Sequence, residues 1–333
     1  MTTRRRQLLG WAAACAAAGP FSAPHALAAA NGSGFPRKLV MLVVPFAPGG
    51  NLDLVARAIA PALQDTLGQS IVVDNRAGAG GAIGVTAVAR AEADGHTLLV
   101  TTPNALAVLP RMVKTTYTLQ SFEPVGLVSS TALVLATSAQ NKRLPDAAAL
   151  LREARANPGR LSAGHAGPGT TNHVALMLIE DAANVRFNLV AYKGSAPALV
   201  DAIGGQTDLI CDQLSSSLQH IQSGALRPLA VLSRERDPQL PQVPTLHEAG
   251  VANFDATTAT GLLAPRGTPA EAVATLNAAL AKALADPQVR QRLQTIGSTP
   301  RPSSAAAFDQ LLQQEDQRAQ KLAQSGRLAG SNT

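Results

Sequence analysis

Short apolar runs alternate with longer amphipathic segments along most of the chain from Lys38 onward. Several runs are apolar at consecutive positions, which is typical of strands covered on both faces, as in a parallel sheet. We predict nine strands, in the segments KLVMLVVPF, SIVVDN, HTLLVTT, VGLVSSTALVLAT, RLSAGHA, FNLVAY, TDLICDQ, RPLAVLS and TGLLAP.

The segments between these runs have the periodicity of helices. The first predicted helix spans Leu52 to Leu67, with apolar residues at positions 52, 55, 59, 63 and 67, and it stops at Gly68. Pro61 lies inside this helix, and we expect it to kink the helix or to end its first half. Two or three more helices are expected in 269–326, and the others begin near Ile83, Asp146, Thr171, Pro197 and Ser216. This alternation predicts right-handed crossovers and open doubly wound sheets.

Nine strands are more than one open sheet of the usual size carries. The long run VGLVSSTALVLATSAQ predicts a strand that leaves one sheet and enters a second, and RPLAVLSRERDPQLPQVP predicts the return. We therefore expect an α/β protein with two doubly wound domains joined by a hinge of two segments. Residues 29–128 plus 234–333 form the discontinuous first domain, residues 129–233 form the second, and a cleft lies where the two crossings meet.

Residues 1–28 have the pattern of an export signal, with a basic start, the apolar run LLGWAAACAAAG and small residues before a cleavage site near Ala28. The apolar run is too short and too rich in alanine to predict a transmembrane helix. The pair Arg5 and Arg6, followed by two leucines, fits a twin-arginine signal as well as an ordinary secretory leader. The sequence therefore predicts export and leaves the export route open.

Removal of the leader lowers the net charge of the chain. The full sequence has 28 basic and 22 acidic side chains, and cleavage takes away three arginines, which leaves 25 basic side chains and a net charge of +3. This small excess does not indicate nucleic-acid binding. Cys211 is the single cysteine after cleavage, so no intrachain disulfide is expected. Nothing in the sequence demands more than a monomer.

Three loops that join a strand to a helix are rich in glycine or hydroxyl residues, namely FAPGGN (46–51), GHAGPGTTNH (164–173) and YKGSAP (192–197). Such loops place free backbone N–H groups and a helix N-terminus at one edge of a sheet, and glycine lets a ligand approach them closely. Thr101 and Thr102 end another strand and can donate hydrogen bonds into the same space. The three loops together predict a site for a small anion, whereas one loop alone fits a tight turn equally well.

Two acidic residues near these loops each have two interpretations. Asp53 stands four residues before Arg57, so it fits a surface ion pair along the helix, or else the recognition of an ammonium group. Asp212 follows the strand TDLICDQ, where it either caps the next helix or faces the ligand.

Motifs for catalysis, metals and cofactors do not match. The chain lacks G-x-S-x-G, and HEAGV lacks the second histidine of a helical zinc site. No cysteine or acid cluster accompanies His165 and His173 in the sequence, so no metal is expected. NRAGAGGAIG has glycine spacing that differs from a dinucleotide loop, and the next strand lacks the acid that binds a ribose, which favours a cleft wall or tight packing over a cofactor site. We therefore predict a binding protein and not an enzyme.

At these residues the mature chain resembles the Bug receptors of the tripartite tricarboxylate transporter family. The segments that carry the resemblance are PFAPGGNLDLVARAIAPAL, GQSIVVDNRAGAGGAIG, ADGHTLLV, AYKGSAPALVDAIGGQTDLICDQL, LRPLAVLSRERDPQLPQVPTLHEAG and GLLAPRGTPAEAVATLNAALAKAL. The family differs at three positions: it often has an aromatic pair at Ala259 and Thr260, and frequently a threonine at Leu52. These differences leave the ligand unassigned.

The resemblance implies a periplasmic receptor of the type II periplasmic-binding-protein (Venus-flytrap) class that closes on an organic, amino or aromatic acid. It would deliver this ligand to the membrane permease of a tripartite tricarboxylate transporter, or else signal to a membrane sensor. Apart from the resemblance, an exported hydrolase is a third alternative. The ligand-binding residues that it implies are Phe46, Ala47, Gly50, Asn51, Asp53, Gly169, Thr170, His173, Tyr192, Lys193 and Asp212.

Overall fold

The structure is a computed structural model that describes residues 34–326 and 328. The predicted leader, residues 1–28, lies outside the described residues. The described strands are β1 (Val40–Val44), β2 (Ile71–Asn75), β3 (Thr97–Thr101), β4 (Phe122–Ser138), β5 (Ser162–His165), β6 (Asn188–Ala191), β7 (Leu209–Gln213), β8 (Leu226–Val231), β9 (Thr257–Pro265) and β10 (Ser298–Pro300). The described α-helices are α1 (Asn51–Leu67), α2 (Ala82–Ala89), α3 (Asn104–Ala107), α4 (Leu109–Met112), α5 (Ala147–Ala156), α6 (Thr171–Ala183), α7 (Ser195–Ile203), α8 (Leu214–Gln222), α9 (Ala270–Ala285), α10 (Pro287–Thr295) and α11 (Ala305–Gln324).

The strands form one hydrogen-bonded sheet in the order β2-β1-β3-β9-β4-β7-β5-β6, with β8 and β10 also paired to β4. The groups β1 to β3 and β5 to β7 are parallel within themselves, but β4 runs antiparallel to β7, β8, β9 and β10. The α/β prediction is confirmed, and the parallel pairing suggested by the apolar runs holds within these two groups but fails at β4, β8, β9 and β10, whose pairs are antiparallel. Strands β4 and β9 are buried on both faces, and burial alone does not reveal strand direction.

The long strand β4 belongs to two groups of strands. From Phe122 to Ala132 it pairs with β9, and from Leu133 to Ser138 it pairs with β7 and β8. We call β1, β2, β3, β9 and β10 the first half of the sheet and β5 to β8 the second half. The division into two separate domains stays a prediction, and β4 physically joins the halves.

Helix α1 shows how the pattern of apolar positions builds the first half. Val55, Ile59 and Leu63 follow each other at four-residue spacing and are fully or almost fully buried against the sheet. The helix ends at Gly68, which has φ 66° and donates its N–H to Gln64. It runs unbroken through Pro61, so the alternative in which this proline ends the first half of the helix is wrong.

All nine predicted strands are present, and the elements that the sequence did not predict are short. Strand β10 has three residues and no apolar run, and it exists because it pairs with the buried strand β4. Helices α3 and α4 have four residues each, too few for a periodic pattern. Within 34–326, no helix combines the length and the apolar character that crossing a membrane requires.

Candidate functional site

A cavity lies where loops from both halves of the sheet meet, at the carboxyl ends of β1, β3, β5, β6 and β7. Its volume is about 30 Å³. The residues that line it are Phe46, Ala47, Gly50, Asn51, Leu52, Asp53, Gly80, Thr102, Ala105, Ala166, Gly169, Thr170, Thr171, Asn172, Ser195 and Gln213.

Three helix N-termini converge on this cavity. Helix α1 contributes Asn51 and the two residues after it, α6 contributes Thr171 and Asn172, and α7 contributes Ser195. The first N–H groups of a helix have no partner within it, and the helix dipole adds partial positive charge there. None of the described residues that line the cavity is a lysine or an arginine. The geometry suits a small anion held by neutral donors.

The two halves touch each other around the cavity. Ser215 Oγ, at the start of α8, donates to Asn51 Oδ1 at 2.6 Å, and the Ala47 N–H donates to the Lys193 carbonyl at 3.4 Å. A Cβ placed on Gly50 would lie 3.5 Å from the Ser195 Cβ, which shows how closely α7 approaches the first glycine loop. The loops of the two halves are therefore in direct contact around the cavity.

Asp53 holds the first glycine loop in place. Its Oδ2 accepts from the Gly49 N–H at 2.9 Å, and its Oδ1 accepts from Arg57 Nε at 2.9 Å. The Arg57 pair is present, but the expectation of a surface pair is wrong because the Asp53 side chain is buried. Gly49 adopts φ 85°, which favours glycine, and the carboxylate fixes its N–H.

Asp212 is fully buried behind the cavity. Its Oδ1 accepts from Ser195 Oγ at 2.5 Å and from Asn172 Nδ2 at 3.1 Å, and its Oδ2 accepts from Ser216 Oγ at 2.5 Å and Ser217 Oγ at 2.7 Å. Burial raises the pKa of this carboxyl above its ordinary value, and the three serine hydroxyls act in the opposite direction. Asp212 binds side chains rather than the backbone of α8, so it is not the helix cap considered above.

His173 lies on the other side of its loop. Its ring stacks on His165 with 4.4 Å between ring centroids, and both rings line a separate cavity with Glu180 and Arg186. Burial lowers the pKa of His165 to about 3, helped by the neighbouring His173, and burial lowers the pKa of His173 to about 4. His173 Nδ1 accepts from the Gly169 N–H at 3.2 Å, so the neutral ring supports the loop that lines the first cavity.

The structure gathers eight of the thirteen predicted site residues around one cavity, and these are Phe46, Ala47, Gly50, Asn51, Asp53, Thr102, Gly169 and Thr170. The other five lie outside it. Besides Asp212 and His173, Thr101 is buried without a partner for its hydroxyl among the described residues. Tyr192 donates its hydroxyl to Asp201 at 2.7 Å, and the Lys193 side chain is exposed.

Several lining residues were missed by the sequence prediction. Asn172 and Ser195 stand inside the loops already singled out, so their hydroxyl and amide groups were a usable signal. Gln213 follows Asp212, whereas Ala105 gives no chemical signal. Of the three positions that differ from the resembling family, Leu52 lines the cavity, Thr260 accepts from Asn51 Nδ2 at 3.4 Å, and Ala259 lines a different cavity. Residues 34–326 and 328 contain no group of three or more acidic, histidine or cysteine side chains placed to hold a metal ion.

The sequence profile described as "Tripartite tricarboxylate transporter family receptor" matches residues 55–328. A protein of Pseudomonas sp. strain P51, the "UPF0065 protein in tcbD-tcbE intergenic region", is 41% identical over 292 residues, which are 86% of this chain and 86% of the relative. Protein BugT of Bordetella pertussis is 39% identical over 269 residues, which are 80% of this chain and 82% of BugT.

Solved structures match over nearly their whole length. MatC from Rhodopseudomonas palustris with bound malate has a TM-score of 0.82 at 36% identity, covering 87% of this chain and 100% of MatC. R. palustris Rpa4515 with adipate has a TM-score of 0.83 at 34% identity, covering 89% and 98%. The periplasmic binding protein BugD has a TM-score of 0.83 at 34% identity, covering 88% and 99%.

Proposed function

Since the chain belongs to the tripartite tricarboxylate transporter receptor family, we propose that it captures a small carboxylate in the cavity and presents it to a membrane transporter of that type. The Bug resemblance and the periplasmic-binding-protein fold are confirmed, and the chain is a solute-binding receptor of this family. The observation that carries the ligand proposal is the meeting of three helix N-termini around a cavity without a basic lining side chain.

The chemistry of the neighbours narrows the ligands to test first. Malate and adipate, the ligands of MatC and Rpa4515, are both dicarboxylates. We propose that a dicarboxylate places one carboxylate at the N-terminus of α1 and extends towards α6 and α7. We also propose that the protein acts in the periplasm as a monomer, after cleavage near Ala28.

Thermal unfolding of the mature protein, residues 29–333, tests the proposal. Unfolding is followed with an added dye and not by tryptophan fluorescence, because Trp11, the single tryptophan, lies in the predicted leader. A ligand at a hundred times its Kd stabilises the folded state by about 2.7 kcal/mol, which raises Tm by a few degrees. We expect a shift with a carboxylate and none with its amide. Equal responses to acid and amide after unfolding, dialysis and refolding would contradict an anion receptor.

Binding without chemical conversion is part of the proposal. The family and the fold are those of solute-binding proteins. We expect any carboxylate that shifts Tm to be recovered unchanged, by NMR, after long incubation with the protein. A new product in that spectrum would point to an exported enzyme instead.

A further inference from the structure

Three polar side chains form one wall of the cavity, at the end of β7 and at the starts of α6 and α7. We call Asn172, Ser195 and Gln213 the polar wall. All three are buried and line the cavity; Asn172 and Gln213 are hydrogen-bonded to each other, and Ser195 Oγ lies 3.4 Å from Gln213 Oε1. Asp212 lies directly behind this wall and is itself completely buried.

The hydrogen of Ser195 is directed away from the cavity. A serine hydroxyl has one hydrogen and two acceptor lone pairs. Ser195 Oγ lies 2.5 Å from Asp212 Oδ1, and its other contact, 3.4 Å away, is the amide oxygen of Gln213. Once the hydrogen is donated to Asp212, the hydroxyl offers a ligand only its lone pairs.

The amide hydrogens of Asn172 are also used inside the protein. Its Nδ2 lies 2.9 Å from the Cys211 carbonyl and 3.1 Å from Asp212 Oδ1. The carbonyl can only accept and the carboxylate is an acceptor too, so the atom facing them has to be the amide nitrogen. Asn172 therefore donates both hydrogens away from the ligand.

The orientation of Gln213 follows from that of Asn172. Asn172 Oδ1 accepts from Gln213 Nε2 at 3.0 Å, and the same nitrogen lies 3.5 Å from Thr258 Oγ1. Both amide hydrogens of Gln213 thus have partners within the protein. The side chains of the polar wall therefore offer acceptors to the cavity, and Asp212 sets that polarity because it receives hydrogens from Ser195 and Asn172.

The first turn of α1 has the reverse polarity and lies beside the polar wall, since a Cβ on Gly50 would be 3.5 Å from Ser195 Cβ. It presents N–H groups, which suit a carboxylate. A ligand in the cavity therefore meets donors on α1 and side-chain acceptors on the polar wall. A site built to pair with a ligand donor discriminates against an analogue without it, since its own buried polar groups lose their partner.

We propose, on the basis of the function proposed above, that this receptor selects carboxylates that carry a hydrogen-bond donor, a hydroxyl or an ammonium group, on the carbon chain. Ser195 and the Gln213 carbonyl accept from that donor, and Asp212 is the positioning residue that keeps their hydrogens out of the cavity. The ligand's carboxylate lies at the N-terminus of α1.

Isothermal titration of the mature protein with matched acids tests this selection. The probes are succinate, malate and aspartate, and the longer set adipate, 3-hydroxyadipate and 2-aminoadipate, with the chiral acids as separate enantiomers. We expect a hydroxylated or aminated acid to bind at least about tenfold tighter than its unsubstituted parent. Tighter binding of either the hydroxylated or the aminated acid fits the proposal. The tighter of the two identifies the donor that the site pairs with.

The failures of the two proposals are distinguishable. If no acid of either set binds to refolded protein, the proposed function fails and the selection fails with it. If acids bind but succinate or adipate is as tight as its substituted relatives, the carboxylate receptor stands and the selection is overturned.

Substitutions test the positioning role of Asp212. Asp212→Asn keeps the shape but can donate to Ser195 Oγ, which frees the serine hydrogen to turn towards the cavity. We expect the preference for the substituted acid to fall at least about fivefold, as on loss of one buried hydrogen bond. Ser195→Ala leaves the carboxylate in place and should also reduce this ratio, so it provides the test if Asp212→Asn does not fold.

Ser217→Ala is the matched control. Ser217 also donates to Asp212, at 2.7 Å, but to Oδ2, and it does not line the cavity. It should keep the wild-type ratio even where it lowers Tm. An unchanged ratio in Ser195→Ala, or an equal loss in Ser217→Ala, would overturn the assignment.

Discussion

Gly50 is the residue where the first glycine loop, the cavity and the contact between the halves coincide. Its φ of −85° is open to any residue, so backbone freedom does not require a glycine at this position. A Cβ there meets Ser195 Cβ at 3.5 Å and no atom more closely, which is ordinary van der Waals contact.

This geometry predicts different effects on ligand affinity for two substitutions at Gly50. We expect Gly50→Ala to bind the best acid within a few-fold of wild type and Gly50→Val to lose at least about tenfold, since its branched side chain fills the cavity. Titration measures Kd, and an unchanged Tm without ligand shows that both variants fold. Full affinity in Gly50→Val would mean that the ligand does not approach this loop.

The His165–His173 pair predicts how stability depends on pH. Both pKa values are lower in the folded protein than the ordinary 6.5, so the unfolded chain takes up protons first as the pH falls. The stability is present above pH 6.5 and is lost towards pH 4, at about 1.4 kcal/mol per pH unit for each histidine.

Urea unfolding at several pH values between 7.5 and 4.5 measures this loss. The double variant His165→Asn/His173→Asn removes both groups, and asparagine can still accept from the Gly167 and Gly169 N–H groups that face the ring nitrogens. We expect a flatter profile than in His247→Asn, which removes an exposed histidine. Identical profiles would show that the stacked pair does not control acid stability.

At the scale of single residues, the sequence predicted which residues lie at the cavity better than it predicted their hydrogen-bond partners. The loop at 46–51 is found at the cavity, as expected from its glycine pair between a strand and a helix. The surroundings of Asp53 and Asp212 were not predictable. Asp53 turns inwards to Gly49, and Asp212 depends on Asn172, which is 40 positions away in sequence. Such contacts follow from strand order and not from local pattern.

Among the elements, strands were the most predictable. Their runs of consecutive apolar residues reflect burial on both faces, which the sheet confirms for β4 and β9. The same double burial hides strand direction, so the antiparallel course of these two strands became clear only from their pairing. Three-residue β10 lacks any pattern of its own.

The proline inside helix α1 gives a testable prediction about the stability of this element. Pro61 is exposed in its interior, where proline removes one backbone hydrogen bond. We expect Pro61→Ala to raise the free energy of unfolding by about 1–2 kcal/mol, because the helix gain exceeds the entropy lost from the unfolded chain. Calorimetry should show a Tm higher by a few degrees.

Gln64→Ala, at another exposed position of α1, is the control for a general gain in helix propensity. A Tm rise in Pro61→Ala no larger than in Gln64→Ala would mean that α1 has already adapted to its proline at no cost.

For the molecule as a whole, the contact between the halves raises the question of how a ligand enters the cavity. The cavity of about 30 Å³ is smaller than most ligand pockets, which measure about 300–1,000 Å³, and contacts between the halves lie beside it. We therefore expect the halves to separate when no ligand is bound, as the predicted hinge requires.

The close pair Gly50 and Ser195 offers a lock for this motion. The 3.5 Å between their Cβ positions suits a disulfide, so the variant Gly50→Cys/Ser195→Cys should oxidise and leave only Cys211 as a free thiol in the unfolded mature chain. Without ligand, small-angle scattering should give a larger radius of gyration for the reduced form than for the oxidised form. Ser195→Cys alone should be insensitive to reductant, and equal radii in both forms of the double variant would rule out the opening motion.

The place of β9 in the sheet has a consequence for how the protein is made. β9 lies between β3 and β4, yet it begins at Thr257, 156 residues after β3 ends at Thr101. At about 5–20 residues per second, a ribosome finishes β9 roughly 8–30 s after β3, and until then β3 and β4 lack the strand that joins them. The first half of the sheet therefore stays incomplete through most of synthesis, a state that would suit a translocase that threads unfolded chains if the predicted leader directs the chain to one.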